Sequence, residues 1–238
     1  MSKRYLLKIS GESIADKDNN QTFNTEKLNL VASVIGELVN QGNEVAIVIG
    51  AGNIWRGKLA NTINIDPADA DFMGMTATVI NATALTAAIK NLGFKAVCMS
   101  AIHVPPITLP FDENKARALL ADKNIVVFGG GTGKPFFTTD TAATLRAIQI
   151  EADGILMAKY GVDGVYSADP NLDKNAVFFD KLTFNEVLEK GLKVMDLSAI
   201  ELVKDKDINI HVFNMDNPKN ILKVVSGEKI GTIVSRGN

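Results

Sequence analysis

The chain has 238 residues, 46% apolar and 22% charged, the balance of a globular protein with enough material for a sizeable core. A formal net charge of −2 argues against nucleic acid as the main partner. The single cysteine, Cys98, excludes an intramolecular disulfide and CxxC metal spacing, and two histidines, His103 and His211, leave little for a His-rich metal site. The N-terminal apolar run is too short for a signal peptide, and no stretch of about 18 apolar residues stands ready to span a bilayer. The expectation is a cytoplasmic protein without a membrane segment.

In chain order, residues 5–9 read as a buried strand and residues 10–13 as a turn, followed by a polar surface loop or hairpin over 16–24. From Thr25, a fair N-cap, Leu28, Val31, Ile35, Leu38 and Val39 follow helical spacing, with Gly42 as the stop. Residues 45–49 form a second buried strand that feeds Gly50, Ala51, Gly52 and Asn53, then Arg56 and Gly57. Asp66 and Pro67 read as cap and first residue of a helix running towards Leu92. Residues 94–99 predict a third strand, 112–120 a short helix, and 125–128 a strand leading into a glycine-rich loop. After it come a helix over 141–151, a strand over 154–158, a turn-rich loop over 162–170, helices near 184–190 and 198–204, a strand over 208–213, a helix over 218–225 and a strand over 232–235. Strands alternating with helices imply a mostly parallel sheet covered on both faces, with right-handed crossovers. No linker, repeat or low-complexity segment interrupts residues 1–238, so one domain is expected.

In such sheets ligands bind beyond the carboxyl ends of the strands. Polar, glycine-bearing loops fall there three times: Ser10–Gly11, residues 50–53, and residues 129–133. The last continues through Lys134, Pro135, Phe136, Phe137, Thr138, Thr139 and Asp140 into a helix start. Free backbone N–H groups and a positive helix end converge there, which makes an anion cradle. It is not a nucleotide P-loop, because GxxxxGK[ST] would need glycine at 128 and Ser or Thr at 135, where Phe128 and Pro135 stand. Asp140 puts a negative charge in an anion site, which calls for a metal, an ammonium partner or a proton. Phe136 and Phe137 read most simply as core aromatics.

Six motifs occur in order: Lys8-Ile9-Ser10-Gly11-Glu12; Gly50-x-Gly52-Asn53-x-x-Arg56-Gly57; Asp71-x-Met73-Gly74-Met75; Gly131-Thr132-Gly133-x-Pro135-Phe136-Phe137-Thr138-Thr139-Asp140; Val162-Asp163-Gly164-Val165-Tyr166-x-Ala168-Asp169-Pro170; and Lys193-Val194-Met195-Asp196. Together they resemble the amino acid kinase family over nearly the whole chain, and the motif from Gly131 to Asp140 and the Asp71 motif resemble its bacterial UMP kinase branch. The resemblance implies a three-layer α/β/α sandwich with a mainly parallel central sheet, a homohexamer, and transfer of the γ-phosphoryl of Mg-ATP to UMP, giving UDP for pyrimidine nucleotide biosynthesis. UTP is implied as an inhibitor at the UMP site.

Residue by residue, the resemblance assigns Lys8 to the transferred phosphoryl and Asp140 to positioning Lys8 or Mg²⁺. It assigns ATP to Lys8, Ile9, Ser10, Gly11, Gly52, Arg56, Tyr160, Tyr166 and Asp169. It assigns UMP to Ala51, Arg56, Asp71 and the run Thr132, Gly133, Lys134, Pro135, Phe136, Phe137, Thr138 and Thr139, with Asp71 receiving the ribose hydroxyls. There are departures. Ala51 replaces a glycine, which is tolerable only at negative φ; Tyr160 stands where relatives carry Asn; and Thr86 and Lys90 occupy positions where relatives place an Arg and a His for an effector GTP, so that site is not carried over. Lys159 offers a further cation with no pattern to place it.

Overall fold

The computed structural model describes residues 2–16, 19, 21–57, 59 and 62–237. Its strands are β1 (Arg4–Ile9), β2 (Glu44–Ile49), β3 (Ala96–Ser100), β4 (Leu109–Pro110), β5 (Ile125–Gly129), β6 (Gly154–Lys159), β7 (Val165–Tyr166), β8 (Phe178–Phe179), β9 (Lys181–Thr183), β10 (Asn209–Asn214) and β11 (Thr232–Ser235). The α-helices are α1 (Thr25–Asn40), α2 (Pro67–Asn91), α3 (Glu113–Ala121), α4 (Thr139–Gln149), α5 (Phe184–Glu189), α6 (Leu197–Val203) and α7 (Asn220–Val225). Nine strands form one sheet in the order β4-β3-β5-β2-β1-β6-β10-β11-β9, and β7 pairs with β8 apart from it. Only the β10–β11 pairing within the large sheet is antiparallel.

The central strands are buried on both faces, which is why they read as continuous apolar runs. Alternate residues then face opposite layers. Leu6, Val48, Val126 and Ile155 pack with Leu120 of α3, Ala143 and Ala147 of α4, Val187 of α5 and Ile200 of α6. Leu7, Ile9, Ile47 and Val127 pack with Val31 and Ile35 of α1, Leu85 and Ile89 of α2 and Ile221 of α7. The result is the expected helix–sheet–helix sandwich, with β1 at its centre between β2 and β6. The helix α2 is the one described helix long and apolar enough to cross a bilayer by length and composition, yet 56% of its most apolar window is buried inside the fold. It is a core helix.

Local signals held with small displacements. The cap of α1 is Asn24, whose side chain accepts from the Lys27 amide at 2.9 Å; the expected cap, Thr25, is the first helical residue. The turn after β1 is a 3₁₀ helix, Gly11–Ile14, capped by Ser10. Phe94 leaves β3 to lie against α1, where a Cβ on Gly36 would stand 2.2 Å from its ring. In the polar segment that follows the 3₁₀ helix, Asp16 and Gln21 form an antiparallel bridge, and residues 17, 18 and 20 lie outside the described residues. The helix α4 starts at Thr139, two residues before the expected position.

Gly231 enters β11 with φ +75°, and a Cβ there would meet the Val212 carbonyl oxygen at 2.2 Å. Backbone, not a flexible side chain, blocks it. Gly231→Ala is expected to lower stability by about 2–4 kcal/mol through φ strain and overpacking. Urea unfolding of the variant checks this, and a change within about 0.5 kcal/mol would contradict the packing described.

Candidate active site

Lys8 is paired in register with Val48 of β2 and Met157 of β6, one residue short of the carboxyl end of β1. Lys159 ends the adjacent strand β6. From the opposite layer, α4 directs Asp140 at both: Lys8 Nζ lies 2.7 Å from Asp140 Oδ1, and Lys159 Nζ lies 3.6 Å from Asp140 Oδ2. The Lys8 and Asp140 side chains are only 14% and 15% exposed. Burial works to raise the Asp140 pKa, but the Lys8 and then the Lys159 ammonium outweigh it, and the carboxyl is held below its ordinary range. For Lys159, burial dominates over the attraction of Asp140, and its pKa is lowered. Of the three partners foreseen for Asp140, the structure supplies the ammonium.

Around this triad the glycine loops are packed on one another. A Cβ on Gly11 would stand 2.2 Å from Asn53 Oδ1 and 2.6 Å from the Gly50 carbonyl oxygen, so only glycine allows the first two loops to meet. Asn81 of α2, fully buried, donates to the Gly50 carbonyl at 2.7 Å and exchanges side-chain amide bonds with Asn53. The third loop takes left-handed backbone at Gly130, Gly131 and Gly133. Its Gly130 amide donates to Thr78 Oγ1 at 2.8 Å, and its Gly131 carbonyl accepts from Arg146 at 3.0 Å. Arg146 lies beneath the loop with its guanidinium 3.7 Å from the Phe111 ring centre, and burial lowers its pKa to about 10.

A cavity of about 280 Å³ is lined by Ala51, Gly52, Trp55, Asp71, Met75, Gly131, Phe137, Thr138 and Thr139, among others. Asp71 Oδ2 accepts from the Phe136 amide at 2.7 Å, with Phe136 at φ +71°. Phe136 and Phe137 are 73% and 51% exposed, so they are not core residues: the loop turns them outward, and Phe137 lines the cavity. Thr132 and Lys134 close a tight turn on each other through the Thr132 hydroxyl, Pro135 follows, and the Lys134 side chain is exposed. Ala51 is not among the residues of positive φ, so its methyl group is accommodated without strain. Arg56 is paired with Glu12 and donates to the Gly52 carbonyl at 3.2 Å.

A second cavity, of about 530 Å³, is lined by Tyr166, Ser167, Asp169, Leu192 and Lys193, among others. Tyr166 stacks edge-on against Phe178, ring centres 5.2 Å apart, and Asp169 Oδ1 accepts from the Asn171 amide at 2.9 Å, fixing the turn. Tyr160 does not line this cavity; burial, then Asp216 and Glu12, raise its phenol to about 12. The Ile9 side chain lies in the core, leaving its backbone to the loop, where its carbonyl accepts from the Gly50 amide. Thr86 is buried with its hydroxyl bonded to the Ala82 carbonyl, so it presents nothing to a ligand.

The amino acid kinase family model matches residues 3–214. The chain belongs to the amino acid kinase family. Solved structures of that kind are similar over its whole length: the UMP kinase from Bacillus anthracis, with TM-score 0.95 and 39% identity over 99% of this chain and 97% of that one, and the UMP kinase from Ureaplasma parvum, with TM-score 0.93 and 39% identity over 99% of each. The uridylate kinase from Archaeoglobus fulgidus matches at TM-score 0.74 and 32% identity, over 97% of this chain and 99% of that one.

Asn81 and Trp55 were not foreseen from the sequence, and Lys159, noted there only as a further cation with no pattern to place it, joins the cluster. The signal for Lys159 was its place at the end of a buried strand, the position that had already marked Lys8. Asn81 and Trp55 carry no local pattern, because their partners are brought up by the fold. As for a resident metal, no group of three or more His, Cys, Asp or Glu side chains among the described residues could hold one, and both Asp140 oxygens face ammonium groups. The donor set does not fit an ion held by the protein alone.

Replacing Asp140 by Asn would leave two half-buried ammoniums facing each other. Asp140→Asn is expected to cost about 3 kcal/mol of stability at neutral pH. Because the folded pKa of Asp140 is depressed, its contribution is complete above the unfolded value and fades as pH falls towards the folded one. The stability gap between wild type and Asp140→Asn should therefore narrow below about pH 4. Urea midpoints of both proteins from pH 7 to pH 3 check the sign; a gap that widens on acidification contradicts it.

Proposed function

We propose that this chain transfers the γ-phosphoryl group of ATP to UMP, with the 280 Å³ cavity taking UMP and the 530 Å³ cavity taking the adenosine end of ATP. The observation that carries this reading is the Lys8–Asp140–Lys159 cluster at the strand ends, in a chain whose solved relatives along its full length are UMP kinases. Phosphoryl transfer asks for charge neutralisation and in-line placement more than for covalent help. Two ammoniums sharing one carboxylate leave net positive charge beside the first turn of α4, whose free N–H groups add to it. Lys8 and Lys159 track the phosphoryl charge as it passes, and Asp140 keeps them from repelling each other. Ser10, Gly11 and Gly52 offer loop donors, and Arg56, with its fork of N–H groups, meets the phosphate of UMP. Asp71 receives the ribose hydroxyls, and residues 132–139 wrap the base. Tyr166 and Asp169 hold the adenosine. Mg²⁺ enters on the phosphates of ATP and supplies further charge neutralisation there.

On this reading UTP occupies the UMP site as a larger analogue and inhibits. Self-association into a hexamer draws support from Phe72, Met73 and Ile80, large apolar side chains exposed along α2. The balance of charge and the burial of α2 support a protein working in the cytoplasm, apart from nucleic acid and membrane.

A coupled ATP assay across UMP, CMP and dTMP tests the acceptor. A site that hydrogen-bonds one base edge leaves groups unpaired with another, so kcat/KM should favour UMP by at least about a hundredfold. Comparable values for CMP would refute the assignment.

Two lysine variants test the mechanism. Lys8 is ion-paired at the cluster, whereas Lys134 is exposed in a loop that uses its backbone. Lys8→Ala should lower kcat by at least about 10²-fold with the fold intact, as removal of a transition-state charge partner does. Lys134→Ala should stay within about tenfold, mostly through KM. The reverse ranking would place the chemistry in the glycine loop.

A further inference from the structure

Asp196 closes the Lys193-Val194-Met195-Asp196 motif. It is the N-cap of α6: Oδ1 accepts from the Ala199 amide at 2.9 Å. A cap needs one oxygen and one amide. Asp196 does more. Its Oδ2 accepts from the Thr138 hydroxyl, and the Thr141 hydroxyl reaches both oxygens, at 2.9 and 3.1 Å. Thr138 and Thr141 belong to the start of α4, the helix that carries Asp140.

The Thr138 hydroxyl explains why an acid stands opposite. Its oxygen accepts from the Asp140 amide at 3.1 Å and from the Thr141 amide at 3.2 Å. A hydroxyl has two lone pairs and one hydrogen. With both lone pairs committed to the helix start, only the hydrogen remains, and it must find an acceptor. The Asp196 carboxylate is that acceptor. On its other side, Asp196 is joined through buried Val194 and Met195 to Gly191, Leu192 and Lys193, which line the larger cavity. Thr138 lines the smaller one.

We propose that Asp196 is a positioning residue that couples the two cavities, tying the first turn of α4 to the segment lining the larger cavity so that filling either one tightens the other. The proposal rests on the assignment of UMP to the smaller cavity and ATP to the larger. A ligand that fixes residues 191–193 fixes Asp196, and with it the orientation of the Thr138 hydroxyl at the wall of the second ligand. Linkage makes the effect reciprocal.

Asp196→Asn separates this from plain capping. Asn is as good an N-cap as Asp, so α6 is retained. Its amide group, however, can turn only one oxygen on its neighbours, and its NH₂ offers the Thr138 hydroxyl another donor where an acceptor is required. The measurement is calorimetric: the Kd of UMP alone and in saturating Mg-AMPPNP. In the wild type the triphosphate should tighten UMP by about fivefold or more. In Asp196→Asn the factor should fall below about twofold with circular dichroism unchanged. Thr141→Val, which removes one hydroxyl contact from a buried position, should at least halve the factor, and it carries the test if Asp196→Asn does not fold. Wild-type synergy retained in whichever variant folds, or no synergy in the wild type, overturns the proposal. A wild type that ignores UMP but binds another monophosphate refutes the acceptor assignment instead, and the same cycle run with that nucleotide still decides the role of Asp196.

Discussion

Two lysine ammoniums and one carboxylate meet where β1 and β6 end, and most of the architecture can be read as what is required to bring them there. Neither ammonium could sit so near the other without Asp140, because like charges in a half-buried site repel with little water to screen them. The parallel pairing of β1 with β6 sets both lysines at the same end of the sheet. Asp140 comes from the opposite direction, on the second residue of α4, where the positive end of the helix favours a carboxylate. Strand register and helix start therefore answer to one electrostatic condition. A slip of one residue in β1 would turn Lys8 to the other face and bury a neighbouring apolar side chain in its place.

The loops around that cluster are held from behind by polar residues of α2 and α4. Asn81 reaches from α2 to the Gly50 carbonyl and to Asn53; Arg146 reaches from α4 to the Gly131 carbonyl; Thr78 takes the Gly130 amide. The bonds to the Gly50 and Gly131 carbonyls and from the Gly130 amide satisfy backbone groups that would cost about 1–3 kcal/mol apiece if buried unpaired. Such loops hold their N–H groups in fixed directions, which is what an anion cradle must do before its ligand arrives. Arg146 adds a buried positive charge under the glycine loop, steadied by the Phe111 ring rather than by a carboxylate. That placement keeps the potential of the loop positive without competing for the ligand.

The central strands were legible because burial on both faces writes itself as an unbroken apolar run, and the long helices because their periodicity and caps agree. What the sequence hid was structure made by contact at a distance. The two- and three-residue strands β4, β7, β8 and β9 have no run long enough to show a period; they exist because a neighbour is there to pair with. Thr25 looked like a cap and lost to Asn24, one residue earlier, because the choice turns on which side chain reaches the third amide. Phe136 and Phe137 looked like core because aromatics usually are; the positive φ of Phe136 and the grip of Asp71 on its amide turn the pair outward. The site was legible where residues share a motif, as Lys8, Ser10 and Gly11 do. Lys159 showed only as a further cation, because nothing local says that its strand ends beside that of Lys8.

The comparison with a P-loop shows what is distinctive in this solution to phosphate chemistry. In a P-loop the lysine belongs to the glycine loop itself, so backbone cradle and cation arrive as one segment. Here the glycine loop keeps its own lysine, Lys134, outside and exposed, and the cations come from strand ends. Separating the two functions has a structural consequence. A lysine fixed on a strand of the central sheet has a backbone that cannot shift without breaking the sheet, so its reach is set by the side chain alone. Beside the lysines, hydroxyl and amide contacts from Asp196, Asp140 and Thr141 converge on Thr138 at the head of α4. The strands place the cations, and Asp140, two residues from that hydroxyl and paired with both lysines, joins them to the helix that follows the glycine loop.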